Sequence, residues 1–137
     1  MSDETRTLEL VESFVMKVRE ADQIVRSHLD RHAIPRPHGR ELVTDDDVVL
    51  RFHGYGCRVT RPDGETVDFD WVNGGIGEPL VIDCWHLCRW SATVGTEALQ
   101  IDEVQRAVLE LIERGALRLG TNHSGIVDPI DGQTTDP

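Results

Sequence analysis

The stretch from Thr7 to His32 limits what this chain can fold into more than any other feature, because its apolar residues recur at helical spacing. Leu8, Val11, Phe14, Val15, Val18, Ala21, Val25 and Leu29 form one stripe, with Glu, Lys and Arg elsewhere. An amphipathic helix of several turns needs a second layer to cover its apolar face. The helix is expected to end before Ile34-Pro35-Arg36-Pro37, since proline donates no backbone hydrogen bond and restricts the residue ahead of it. A loop through Gly39 and Thr44-Asp45-Asp46-Asp47 follows.

The covering layer is expected to be β. Val48-Val49-Leu50-Arg51-Phe52 is rich in strand formers, and Cys57–Thr60 and Thr66–Val72 flank the turn sequence Arg61-Pro62-Asp63-Gly64-Glu65. In the second arm Val67, Phe69 and Trp71 alternate with Thr66, Asp68 and Asp70. One face should therefore be buried, and the other should carry both carboxylates in solvent, with Arg58 as a partner across the hairpin.

After Asn73-Gly74-Gly75-Ile76-Gly77 the pattern from Pro79 to Val94 predicts a helix with Val81, Cys84, Trp85, Leu87, Cys88 and Ala92 on the core face. Asp83, His86, Arg89 and Thr93 share the opposite face with Trp90 beside them, so Trp85 is expected in the core and Trp90 at the surface. A third helix is expected over Asp102–Arg114, with Asp102 and Gln105 as a capping box and Gly115 as its stop, and then a short strand within Ala116–Leu119. The fold class expected is α+β, a small antiparallel sheet (a hairpin plus one or two strands) packed against about three helices. Residues 1–121 would form one domain and 122–137 a flexible acidic tail.

Charge narrows the function classes. Against 14 basic residues stand 25 acidic ones, 14 − 25 = −11, a surface that repels phosphate backbones and suits a basic partner. No membrane contact is expected, since no apolar run is long enough to span a bilayer. The charged start Met-Ser-Asp-Glu-Thr-Arg and the odd, sparse set Cys57, Cys84 and Cys88 point to reduced thiols and a cytoplasmic location.

Residue chemistry leaves several readings open. In His53-Gly54-Tyr55-Gly56-Cys57 an imidazole stands near a thiol, so His53 could activate Cys57 with Asp68 or Asp70 orienting the ring. The alternative is a core cysteine and a structural histidine. His53 and Cys57 with Cys84 and Cys88 would also complete a tetrahedral zinc set, although the spacing matches no common zinc pattern and no cofactor is expected. Asp68, Asp70 and Asp83 would form an acid–base or hard-cation group if the second helix packs near the hairpin. Trp90, rimmed by His86 and Arg89, has the character of a partner anchor, the alternative being that it packs under the tail or the third helix.

The motifs His53-Gly54-Tyr55-Gly56-Cys57, Val67-Asp68-Phe69-Asp70 and Asp83-Cys84-Trp85, in that order, resemble a small bacterial family of uncharacterised function. Its pattern is His-Gly-x-Gly-Cys, Val-Asp-Phe-Asp and Phe-Asp-x-Trp-Arg-Leu. Ile82 stands where that pattern has Phe, and His86 where it has Arg, so no role of that arginine carries over. The resemblance implies a small acidic protein found near toxin systems, hence an immunity-like role.

The expected function is accordingly a bacterial cytoplasmic interaction protein that binds a basic partner such as a toxin, through Trp90, His86, Asp68 and Asp83. A homodimer is the other form of partner. The alternative is a small enzyme built on His53, Cys57 and Asp70.

Overall fold

The structure is a computed structural model that describes residues 3–34, 40–95, 97–119 and 126–127. Gly39 and most of the stretch read as a tail lie outside the described residues.

The first helix, α1, runs Asp3–His32 and buries Val11, Phe14, Val15, Val18, Ala21, Val25 and Leu29, the stripe expected of it. Its end is a left-handed cap. Ala33 takes φ 51°, and the Ile34 N–H turns back to the Leu29 carbonyl at 3.0 Å.

Strands β1 (Glu41–Val43), β2 (Val49–His53), β3 (Gly56–Thr60) and β4 (Thr66–Trp71) form an antiparallel meander. β5 (Leu80–Ile82) pairs with the end of β4, at Asp70 and Trp71. Within the stretch 122–137, Ile126–Val127 forms β7, which lies between β5 and the two-residue β6 (Arg118–Leu119) in the order β1-β2-β3-β4-β5-β7-β6.

Register follows the alternation of the sequence. Leu50, Val59 and Val67 stand in one cross-strand row, and Phe52, Cys57 and Phe69 in another, all facing the helices. Rows between them point the other way: Glu41, Arg51, Arg58 and Asp68 in one, His53, Gly56 and Asp70 in the next. Each fully buried side chain of the size of Phe14 or Leu50 contributes about 1.5–3 kcal/mol over its exposed state.

Helix α2 runs Cys84–Thr93 rather than from Pro79, because Leu80–Ile82 stays extended in the sheet and Asp83 caps the helix, its Oδ1 accepting the Trp85 N–H at 2.8 Å. The later start fixes a different buried face, made of Leu87, Trp90 and Ser91. The expectation of a core Trp85 is thereby reversed, since it is 65% exposed, and Trp90 is packed rather than an exposed anchor, at 3%. Trp90 tilts against Phe14, ring centroids 5.3 Å apart, and donates its indole N–H to Glu65 Oε2 at 2.8 Å. Burying an indole requires such a partner for its N–H. Trp71 is held likewise, its Nε1 donating at 2.8 Å to the buried Asp22 of α1, which Arg26 neutralises.

Helix α3 (Ile101–Glu113) buries Val104, Ala107, Val108 and Leu111 against α1 and α2, and Gly115 follows it at φ 80°. Its N-cap is Gln100, whose backbone N–H donates to the Glu103 side chain at 3.2 Å, in place of the expected Asp102 and Gln105 pair. The result is a small α+β fold, with helices against one face of an antiparallel sheet.

Candidate functional site

The chemistry-bearing side chains gather on the sheet face turned away from the core. Asp68, expected in solvent, is 3% exposed. It is sunk because α2 runs beside β4 where β5 no longer pairs, Thr93 Oγ1 accepting the Thr66 N–H at 3.2 Å. A carboxylate at that depth needs several donors. His53 Nε2 lies 2.7 Å from Oδ1, Arg58 Nε donates to Oδ2 at 2.9 Å, and Arg89 Nη1 reaches the same oxygen at 3.4 Å. With Nε2 donating, a neutral His53 ring carries its free lone pair on Nδ1.

Asp70 stands in the neighbouring row, opposite Gly56. A β-carbon on Gly56 would sit 1.9 Å from the Phe69 carbonyl oxygen and 2.4 Å from Asp70 Oδ1, so only glycine lets the carboxylate fold over β3. Burial pushes the Asp70 carboxyl above its usual range; the nearby His86 and His53 rings oppose the rise, and Asp68 and Asp83 add to it. His86 Nδ1 is buried and takes no hydrogen bond among the described residues. His53, Asp68, Asp83 and His86 thus all act on the charge of Asp70.

The three cysteines and Trp90 stand elsewhere. Cys57 points into the core on the face opposite His53, fully buried, and burial with the nearby Asp68 charge pushes its thiol up to about 12. The His53–Cys57 nucleophile pair is therefore not assembled, and the strand's two-residue period is the reason. Cys84 and Cys88 lie on α2 with thiols likewise raised, that of Cys84 to about 11, chiefly by burial. Among the described residues no group of three His, Cys, Asp or Glu side chains converges to hold a metal ion. Trp90, expected as an anchor, is core.

What the sequence left unseen is Trp85, in water at the head of α2 next to Asp83 and His86, together with Tyr55, 55% exposed in the β2–β3 turn. A larger cavity of about 770 Å³ lies between α1, the β1–β2 loop and the β3–β4 turn. Its walls are ion-paired, Arg31 with Asp45 at 3.0 Å and Arg61 with Glu20 at 3.1 Å.

No helix among the described residues is long and apolar enough to cross a membrane. A family model described as a domain of unknown function (DUF6896) matches residues 7–126 of the chain. No curated protein and no solved structure matches it.

Proposed function

The chain belongs to that family of unknown function, and from this premise we propose that it is an interaction protein whose acidic surface meets a basic partner protein through Trp85. The single observation that carries this reading is the exposure of Trp85, 65% in a chain that buries its other two tryptophans. An indole in water forfeits the burial its size offers, and tryptophan is the residue type most enriched among binding anchors. Asp83 and His86 flank it as a polar rim. The charge of −11 supplies long-range attraction and orientation for a cationic partner, while the aromatic anchor supplies residence time. The finer form of the proposal is a bacterial cytoplasmic, immunity-like protein that neutralises a basic toxin.

Affinity capture from the source cells with wild type and Trp85→Ala tests it. The captured partner is expected to be basic, and Trp85→Ala to weaken its binding by about thirtyfold, the effect of losing a hot spot of about 2 kcal/mol. Equal affinity of the two proteins would contradict the proposal.

A second reading has its own observation: the Asp70 carboxyl, raised by burial and flanked by His53 and His86. That is the environment of a general acid or base. It would work without Cys57, with His53 oriented by Asp68. Under this reading Asp70→Asn abolishes turnover of a substrate while leaving the fold intact.

A further inference from the structure

A groove of about 320 Å³ opens on the same outer sheet face, lined by Arg51, Arg58 and Arg89, by Thr60, Thr66 and Thr93, and by Glu41. Its volume falls at the lower end of the roughly 300–1,000 Å³ typical of small-molecule sites. The local charge is the reverse of the molecule's. Three arginines face Glu41 and the buried Asp68, 3 − 2 = +1, within a chain of −11.

Arg51 and Arg58 stand directly opposite each other in the β2–β3 register. Like charges opposed across an antiparallel pair destabilise it. A carboxylate stands on the far side of each, Glu41 opposite Arg51 and Asp68 opposite Arg58, and Asp68 engages Arg58 through Nε and Arg89 through Nη1. Arg51 is exposed and forms no ion pair among the described residues. The threonine hydroxyls line the wall and are engaged in the fold: Thr66 donates to the Gly64 carbonyl, and Thr93 donates to the Trp90 carbonyl.

We propose that this groove binds a phosphate-type oxyanion, free or as the phosphate group of a small organic ester. Guanidinium groups recognise such anions through paired N–H donors, and three of them around one groove present more donors than the two oxygens of a carboxylate accept. A doubly charged anion between Arg51 and Arg58 would accept N–H donors from both guanidinium groups at once. The site is independent of Trp85 and of the partner proposed above.

Thermal unfolding in inorganic phosphate, against sodium chloride of equal ionic strength, tests the site. Wild type is expected to gain melting temperature with phosphate concentration beyond the chloride control, by mass action on the folded state. Arg51→Gln, at an exposed position outside the Asp68 cluster, is expected to need about tenfold more phosphate for equal protection, the effect of losing one charge-assisted contact of about 1.4 kcal/mol. Arg89→Gln provides a second variant should the first unfold. A small phosphomonoester protecting more strongly than phosphate identifies the ester as the better ligand and supports the site. No protection beyond chloride, equal protection of wild type and both variants, or acetate protecting as well as phosphate would each overturn it.

Discussion

At the scale of single residues, environment rather than residue type decides what each group can do. Cys57 and His53 are near neighbours in sequence, yet the pleat turns the thiol into the core and the imidazole outward. With its thiol pushed up to about 12, Cys57 is expected to resist alkylation in the folded protein at pH 8 and to react only after unfolding. Site-resolved mass spectrometry after timed labelling checks this, and rapid labelling of native Cys57 would contradict it. Asp70 gives a prediction with a defined sign. Its folded pKa is raised, so the unfolded chain releases that proton more readily and folding loses stability as pH rises through the carboxylate range. Asp70→Asn is expected to unfold at a higher denaturant concentration than wild type at pH 7, with the gain shrinking below the unfolded pKa of about 4. An advantage that persisted at pH 3 would rule out this origin. Asp68 shows why single-residue burial was hidden from the sequence. Alternation with Phe69 put it correctly on the outer face, but its depth comes from Arg89 and Thr93, on a helix whose packing no local pattern records.

At the scale of elements, the parts with an unbroken period were legible and the junctions were not. α1 and the strands β2 to β4 carry a clear period of 3.6 or 2, and the structure follows them. Leu80-Val81-Ile82 is a short apolar run that fits either period, and the strand wins because β4 and β7 pair with it on both sides. Asp83 then starts α2 later than expected, and the buried face rotates. Trp85 and Trp90, five residues apart, fall about 140° apart around a helix of 3.6 residues per turn, so only one can face the core. The glycines of His53-Gly54-Tyr55-Gly56-Cys57 were legible as places where the backbone turns or approaches another group, but that Gly56 makes way for β4 at Phe69 and Asp70 was not. Gly56→Ala is expected to destabilise the fold by about 1–3 kcal/mol in chemical denaturation, since a β-carbon meets the Phe69 carbonyl at 1.9 Å and must displace β4. Unchanged stability would mean that β3 and β4 separate freely there.

At the scale of the whole molecule, the structure divides into a closed side and an open one. The helices and the inner sheet face make one core, whose buried acids Asp22 and Glu65 each receive an indole N–H. The outer face holds the His53, Asp68 and Asp70 group and the arginine groove, while Trp85 stands exposed at the head of α2. Composition made the net charge plain from the start, whereas its local reversal around Arg51, Arg58 and Arg89 needed the strand register. The measurement that tests the central claim most directly is the association rate of the chain with its captured basic partner as a function of salt. For wild type the rate is expected to fall steeply as salt rises. Trp85→Ala should keep that salt dependence and dissociate faster, because the anchor acts on residence rather than encounter. An association rate indifferent to salt, with dissociation unchanged in Trp85→Ala, would contradict the reading of this chain as an acidic docking protein.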